Sequence, residues 1–512
     1  MRSRACLSPV APHSASGQRF RRTKCRTVVR RNETCRAVAR LKEGTKEKER
    51  EREGRDARVV RPLAHPPSMD IHPRGRCDAA HTMVDNEFPA AEKILRDIEN
   101  TIRRNPAIKS FVILPMEDNE NRSPVFHQED SLGLASWCVQ PLYVYVYRRL
   151  LEYRRTRHQR REEPSTVARW LLGALLLNPN VTTFWNMRRE LMRAGRLDAR
   201  DELLITRPVL YHTPKNFEAF AYRSWLMSHA LDAERNHVAE PGISPLASAE
   251  VELAETCADR YANNYHAWSY RRHLVALCES RGLRHPSLES EWRSTLAWCR
   301  RHVSDHSAHS YRQFLLRKCM LAMVFPETET DDDDTVRHDN LFIYMNLYEP
   351  NDDERTLLER IRDIFARRVH GYSPIDVRKL RCYLRALSYW AEECWNNDQL
   401  IVMYDNHETL WYHRRFLAHS LVVLTVMYAK HACYREDEFS DVQCRDEPSV
   451  APFLRDGPLN TRDDLLIAAH VMLLRSFCTV NIRIIQVAIE RGPRENLVIE
   501  RFSKYLGRIG LR

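Results

Sequence analysis

The chain has 512 residues, of which 43% are hydrophobic and only 14 are glycine, so it can bury one extended domain or two compact ones. Its net charge of +11 comes from the beginning, because residues 1–82 hold 21 Lys and Arg against 9 Asp and Glu, which leaves 59 against 60 for residues 83–512. The body therefore lacks the basic surface of a nucleic-acid-binding domain, and only the tail offers charge for phosphate contacts.

Residues 1–82 are predicted to be a disordered basic tail, because they are rich in Arg, Ser and Pro and show little apolar periodicity. The first acidic residue is Glu33, and such an Arg-rich, acid-poor beginning is typical of a mitochondrial presequence. An upstream extension of the reading frame is the alternative, with Met83 as the natural start. Both interpretations remain open at this point.

Residues 83–164 are predicted to form an N-terminal helical region. Val84 to Arg104 has acidic residues early, basic residues late and apolar positions at helical spacing. Helical patterns such as Trp137 to Arg155 and Thr166 to Leu177 then follow one another, separated by short polar turns. Alternating strand patterns are scarce, so the fold class is all-α.

The central segment, residues 165–420, contains five similar stretches in which an aromatic residue or His is followed three positions later by Arg. Positions i and i+3 lie on one helix face, so the ring is expected to wedge between helices while the guanidinium reaches a carboxylate or a carbonyl of a neighbour. Such a unit is predicted to stack. The five pairs are Trp185 and Arg188, Phe220 and Arg223, Trp268 and Arg271, His309 and Arg312, and Trp411 and Arg414. Apart from Arg271, these residues are also our candidates for the interface with a partner.

Three of these helices carry a predicted N-cap, because Asn216, Asn264 and Asp305 stand four residues before the ring position. A helical hairpin of this kind cannot bury its apolar face alone, so successive hairpins are expected to stack into a right-handed, crescent-shaped solenoid, a TPR-like alpha-alpha superhelix with a concave inner surface. The spacings of 35, 48, 41 and 102 residues do not keep the 34-residue period of a tetratricopeptide array. The longest gap leaves room for a degenerate repeat around Trp390 to Trp395.

That gap also contains an acidic stretch, residues 326–355, which we interpret as a loop insertion. Glu327 to Asp334 reads ETETDDDD, and Pro350 to Glu354 adds further acidic residues. Charge runs are usually solvated, so an exposed loop without a partner is the leading interpretation. A docking site for a basic partner is the alternative.

Residues 421–512 are predicted to be a C-terminal helical cap that covers the last apolar face of the solenoid. The apolar runs Leu171 to Leu177 and Leu421 to Met427 fall short of the roughly 20 residues of a membrane span. The 14 cysteines form no CxxC pair, and several lie in helical patterns, as thiols of a reducing compartment do. We therefore expect a cytoplasmic protein without a direct membrane span.

The repeated segments resemble the repeat of the protein prenyltransferase alpha-subunit family, roughly Asn-Tyr-x-x-Trp-x-x-Arg-Arg on the inner helices. Asn264 to Trp268 with Arg271 is the best copy, and the resemblance covers about residues 165–420. NRSPVF (Asn121 to Phe126) and HVSDHSAHSYRQFLL (His302 to Leu316) are similar to the divergent branch that supplies the alpha subunit of the type III geranylgeranyltransferase.

The resemblance implies a division of labour between two subunits. The zinc, the geranylgeranyl diphosphate and the acceptor-cysteine site are expected on a separate beta subunit, first of all the Rab-type geranylgeranyltransferase beta chain. This chain is then expected to supply no catalytic residue, metal ligand or cofactor of its own. It would help to present a protein substrate, a SNARE foremost, and no nucleic acid. A helical-repeat scaffold without prenyltransferase activity is the alternative function.

The resemblance also points to residues at the rim of the active site. In the farnesyl and type I geranylgeranyl enzymes the motif Lys-Asn-Tyr-His-Ala-Trp lies there, and its Lys faces the leaving diphosphate. In this chain Asn263 replaces that Lys and cannot supply the positive charge. Tyr265 is the leading rim residue, although a hydroxyl pointing into a helix junction is an equal interpretation. The rim candidates are Asn263, Asn264, Tyr265, His266 and Arg271.

Overall fold

A computed structural model of the chain divides it into two units, residues 1–82 and residues 83–512. The structure describes residues 88–117, 123–156, 162–235, 244–283, 287–321, 331–365, 374–404, 406–434, 449–455, 464–491 and 497–511. The predicted basic tail lies outside these residues. The rest of this section concerns the second unit.

The second unit is an all-α solenoid of helical hairpins, as the repeat pattern predicts. Five hairpins carry the five repeated segments, and three of the second helices begin directly after their predicted caps. Their helices are α3 (Pro164–Leu177) with α4 (Thr182–Arg193), α5 (Ala199–His212) with α6 (Phe217–Arg235), α7 (Pro245–Arg260) with α8 (Tyr265–Ser280), α9 (Leu288–Arg301) with α10 (His306–Leu321), and α13 (Pro374–Met403) with α14 (Glu408–His431).

The three predicted caps are confirmed. The side-chain oxygens of Asn216, Asn264 and Asp305 accept hydrogen bonds from the backbone amides of Ala219, Ala267 and Ala308 at 2.8, 3.2 and 3.0 Å. These bonds satisfy amides that the first helical turn leaves without an intrahelical partner. They fix where each second helix begins.

The N-terminal region differs from the prediction, because it contains a small sheet as well as helices. Between α1 (Ala91–Arg104) and α2 (Val139–Arg155) lie β1 (Ser110–Leu114), β2 (Val125–Gln128) and β3 (Ser131–Ala135). The strands take the order β1-β3-β2, with β1 parallel and β2 antiparallel to β3. Each strand has four or five residues, too short for a distinct alternation in the sequence.

The acidic stretch 326–355 is not simply a loop, and this prediction was wrong. Its residues include α11 (Asp331–Met345) and the start of α12 (Asp352–Phe365). Acidic residues favour the first turn of a helix because they face the positive end of the helix dipole. Asn351 and Glu354 also cap each other's backbone amides at the start of α12. An inserted hairpin therefore accounts for the long repeat gap.

The expected degenerate repeat at Trp390 to Trp395 is instead part of the first helix of the fifth hairpin, α13. Three helices follow the fifth hairpin among the residues that the structure describes: α15 (Ala451–Arg455), α16 (Leu465–Arg491) and α17 (Leu497–Arg508). Leu465–Glu490 is long and apolar enough by length and composition to span a membrane, but 67% of its apolar window is buried inside the protein. Its apolarity serves packing against α13 and α14.

Candidate partner interface

The five repeat arginines lie inside the stack, where none is more than 2% exposed. The first four each bind a buried Glu on the first helix of the next repeat hairpin through two guanidinium nitrogens. The Nε to carboxylate distances are 2.7, 2.8, 2.5 and 2.8 Å for Arg188 to Glu202, Arg223 to Glu250, Arg271 to Glu291 and Arg312 to Glu393. The arginines thus join successive hairpins.

Each of these glutamates also binds the residue that directly precedes the next repeat arginine. Tyr222, Tyr270 and Tyr311 donate their hydroxyl groups to Glu202, Glu250 and Glu291 at 2.7, 2.7 and 2.5 Å, and His413 Nε2 lies 2.9 Å from Glu393. The Glu always stands 20 residues before its Tyr or His. We call this continuous series of Arg, Glu and Tyr or His side chains the Arg ladder.

Ionisation in the Arg ladder is fixed by mutual neutralisation. Burial lowers the pKa of Arg223, but Glu250 outweighs this effect, so the pKa is raised above its ordinary value. Burial raises the pKa of Glu393, but Arg312 and His413 hold it below its ordinary value. Burial raises the pKa of Tyr270, and the negative charge of Glu250 raises it further. Each of the first three steps is therefore an ion pair with a neutral tyrosine hydroxyl beside it, and the fourth is an ion pair beside the His413 ring.

The ring positions of the repeat are buried as well, with exposed fractions of 0 to 3% for Trp185, Phe220, Trp268, His309 and Trp411. Trp268 Nε1 donates to Asp305 at 3.2 Å, which ties the third hairpin to the fourth. His309 is the exception, because neither of its ring nitrogens has a hydrogen-bond partner among the described residues. Burial lowers the pKa of His309 to about 3. These residues build the repeat and are not accessible to a partner.

The surface that remains accessible runs along the turns that join the two helices of each hairpin. We define the rim as the exposed and half-buried residues of the segments 178–183, 213–218, 261–266, 302–307, 404 and 406–412. Neighbouring turns of the rim contact each other directly. The contacts are Thr182 to Glu218 at 2.7 Å, Phe217 to His266 with ring centroids 5.5 Å apart, the His306 amide to Asn263 Oδ1 at 2.7 Å, and Ser304 to His407 at 2.7 Å.

Exposed rings concentrate on the rim. Tyr265 is 66% exposed and Phe217 59%, and Tyr261, Tyr404 and Tyr412 are between 42 and 46% exposed. The ring directly after an N-cap faces outward in two successive hairpins, since Phe217 follows Asn216 and Tyr265 follows Asn264. Polar side chains such as Asn, Thr, Ser and His occupy most of the remaining positions. This composition, rich in aromatic rings and poor in charges, is typical of the core of a protein interface.

The structure separates the five predicted rim residues into two groups. Asn263, Tyr265 and the half-buried His266 lie on the rim, and the Tyr265 side chain does not point into a helix junction. Asn264 and Arg271 are 0 and 2% exposed and belong to the cap and the Arg ladder, so they are not rim residues. Asn264 caps a helix and the Arg271 guanidinium points into the stack. These structural roles explain why both residues belong to the motif without any contact to a substrate.

Asn263 has a structural role that the sequence did not reveal. Its φ is 54°, in the left-handed region that Asn tolerates better than most residues. From there its side-chain oxygen accepts the His306 amide at the start of α10. An Asn at this position therefore fits both the turn conformation and the next helix, whatever its relation to the Lys of related motifs.

The described residues contain no group of three or more His, Cys, Asp and Glu side chains placed to hold a metal ion. Four of the cysteines in helical patterns, Cys257, Cys278, Cys299 and Cys319, are buried and form no disulfide bond. Burial raises the pKa of Cys257 to about 12, so its thiol stays protonated.

The hairpins are joined by buried Arg and Glu side chains, and aromatic rings are exposed along the rim. These features define a prenyltransferase alpha-subunit-like repeat protein. The family model of the protein prenyltransferase alpha subunit repeat matches residues 199–230 and 247–278, which fall within the second and third hairpins. Both matches contain a ladder Glu and a ring position. This agreement confirms the resemblance on which the repeat assignment was based.

Similar curated proteins extend the match beyond these two hairpins. Protein prenyltransferase alpha subunit repeat-containing protein 1 of Homo sapiens is 33% identical over 350 residues, which are 64% of this chain and 78% of the relative. That of Danio rerio is 31% identical over 338 residues, 63% of this chain and 71% of the relative. The chain belongs to the family of protein prenyltransferase alpha subunit repeat-containing proteins. Geranylgeranyl transferase type-2 subunit alpha of Bos taurus is 25% identical over 197 residues, 36% of this chain and 30% of that protein.

Proposed function

We propose that the chain is the non-catalytic alpha subunit of a heterodimeric protein geranylgeranyltransferase, and that its rim binds the beta subunit. The observation that carries the proposal is the row of exposed rings on the turns of one stack: Phe217 on the second hairpin, Tyr265 on the third and Tyr412 on the fifth. Large rings that are already ordered lose little conformational entropy on binding, so such a row favours a stable protein partner.

The choice of partner follows from the relatives. The similarity to a geranylgeranyl transferase type-2 alpha subunit, although limited to 36% of this chain, favours the Rab-type beta chain. In this proposal the zinc and the geranylgeranyl diphosphate are bound by the beta chain, and the present chain helps to position a protein cysteine, foremost that of a SNARE, in the cytoplasm. The Lys that would face the diphosphate is replaced by Asn263, so the beta chain supplies all positive charge at the leaving group.

The proposal is tested by co-expressing the full chain with the Rab-type beta chain and, separately, with the type I and farnesyl-type beta chains. Size exclusion would establish which pair forms a one-to-one complex, and labelled geranylgeranyl diphosphate would report transfer to SNARE protein thiols. We expect a stable, active complex with the Rab-type chain alone. A stable complex without transfer, or no complex with any beta chain, would instead support a helical-repeat scaffold.

A further inference from the structure

Two arginines come together on the second helices of the third and fourth hairpins, and the proposed function does not use them. The Cζ of Arg272 on α8 lies 5.0 Å from the ring centroid of Phe314 on α10, and its guanidinium donates to the Ser310 carbonyl at 3.3 Å. Arg317 follows Phe314 by three residues, so it lies on the same face of α10, one turn further on. It is also ten residues, about 15 Å, beyond the rim segment 302–307, so this place is not part of the rim.

Aromatic rings hold both guanidinium groups in place. Arg272 stacks on Phe314, and the Cζ of Arg317 lies 5.7 Å from the ring centroid of Phe416 on α14. Stacking on a ring leaves the N–H groups at the edge of a guanidinium available for hydrogen bonds. Both arginines are half-buried, and Arg317 forms no hydrogen bond with a described residue. The pair is thus ordered by its rings and still has donors to offer.

The two positive charges are not neutralised by carboxylates, since neither arginine forms an ion pair with a described residue. Helix α10 contains no Asp or Glu, and α8 and α14 contain one each, Glu279 near the end of α8 and Glu408 at the start of α14. Glu279 pairs with Lys318 at 3.5 Å, and the buried glutamates of the Arg ladder are bound by the ladder arginines. Burial lowers the pKa of Arg317, and the positive charge of Arg272 lowers it further.

We propose that Arg272 and Arg317 together bind a phosphate group. A phosphate monoester carries a charge of about −2 and three acceptor oxygens, so a single group neutralises both arginines. A carboxylate carries one negative charge and would leave one of the two without a counter-charge. The planar fork of donors on each guanidinium also matches the spacing of phosphate oxygens. The phosphate comes either from solution, as the free ion, or from a phosphorylated Ser or Thr of a partner protein.

The first two hairpins show the same stacking with a different charge balance. Arg189 on α4 lies over Tyr222 with its Cζ 5.4 Å from the ring centroid, and Arg193 lies over Trp225 at 5.5 Å. Burial lowers the pKa of Arg189, but there the Glu218 carboxylate opposes this effect. Ring stacking is therefore common to both places, whereas the arginine pair of α8 and α10 has no such carboxylate. Arg193 is the matched control position.

The test uses the full chain and two probes in a chloride buffer: inorganic phosphate, and a short neutral peptide with one central phosphoserine. Isothermal titration measures both affinities, with the unphosphorylated peptide as the reference. We expect both phosphate probes to bind the wild type and the reference peptide not to bind. Arg272→Gln and Arg317→Gln should each weaken binding by about tenfold or more, because each removes one of the two charged donors. Arg193→Gln should bind like the wild type.

The affinities of the two probes also identify the source of the phosphate. Tighter binding of the phosphopeptide points to a phosphorylated segment of a partner protein, and equal affinities point to the free ion. Urea unfolding curves establish that each variant is folded. Arg317→Lys keeps the charge without the fork of donors, so it should bind less tightly than the wild type and more tightly than Arg317→Gln.

Two results would overturn the proposal. One is that neither phosphate probe binds the wild-type chain. The other is that Arg193→Gln weakens binding as much as Arg317→Gln does, because the overall positive charge of the second helices, and not the arginine pair, would then account for the affinity.

Discussion

The two faces of helix α8 have different roles: one packs inside the stack, and the other lies on the surface that we propose for partner binding. Its inward face carries Trp268 and Arg271, which the stack buries and which link the third hairpin to the fourth. Its first turn presents Tyr265 and His266 on the rim. Residues that are adjacent in one motif thus have opposite environments, so matching the motif does not tell which of them a partner contacts.

The largest expected loss of stability comes from removing a buried carboxylate of the Arg ladder. In Glu250→Ala, Arg223 and Tyr270 lose their acceptor inside the protein, and removing one member of a buried pair costs about 3 to 5 kcal/mol. Urea unfolding measures the loss. Glu252→Ala, two residues further on α7, removes an exposed pair with Lys109 and should cost far less, because solvent screens such a pair. Equal losses in the two variants would contradict a structural role of the Arg ladder.

A substitution on the rim is expected to weaken partner binding and to leave the stability of the fold unchanged. Tyr265→Ala should leave the urea midpoint unchanged, because the side chain is 66% exposed, and should weaken beta-chain binding at least tenfold, as loss of an interface ring does. Isothermal titration with the beta chain measures the affinity. Ile113→Ala, at a 37% exposed strand position away from the rim, is the control and should bind normally.

The ring position of the fourth repeat gives a pH-dependent effect. Because the pKa of His309 is about 3 in the folded protein and near 6.5 when unfolded, only the unfolded chain takes up this proton as the pH falls below 6.5. The cost is absent above that pH and reaches about 2 kcal/mol at pH 5. His309→Phe keeps the ring and removes the titration, so its stability should fall less than that of the wild type between pH 7 and pH 5. Urea unfolding curves of both proteins at both pH values measure this difference. If the stability of the two proteins falls equally, His309 is not the source of the pH dependence.

The smallest expected effect concerns the turn before α8. Asn263→Ala loses the bond to the His306 amide and puts a less tolerant residue at a φ of 54°, which should cost about 1 to 2 kcal/mol. Asn263→Gly loses the bond but not the backbone fit, so it should cost less than Asn263→Ala. Thermal unfolding of both variants ranks them, and the reverse order would show that the backbone conformation is not limiting.

The sequence predicted the hairpins because their rings, arginines and caps recur at fixed short spacings. It did not predict the ladder glutamates, since Glu202, Glu250, Glu291 and Glu393 stand 14, 27, 20 and 81 residues after their arginines. Connections between hairpins vary in length, and only the distance of 20 residues within a hairpin is constant. The Tyr before Arg in three repeats was the available signal.

The rim was predicted only in part, because exposure depends on which side of a helix faces the neighbouring hairpin. Tyr265 and His266 were identified from the resemblance, whereas Phe217, Tyr261 and Tyr412 were not. The ring after each cap would have indicated Phe217. The exposure of Tyr404 and Tyr412 depends on how α13 meets α14, and the spacing of residues does not encode that arrangement.

The most direct test of the account is the affinity of the full chain for the Rab-type beta chain, compared between the wild type and the double variant Phe217→Lys, Tyr265→Lys, with unfolding curves of both. We predict a stable one-to-one complex for the wild type and none for the double variant, with equal urea midpoints. A wild-type chain that does not bind the beta chain, or a double variant that binds it equally well, would contradict the claim that the rim is the partner interface.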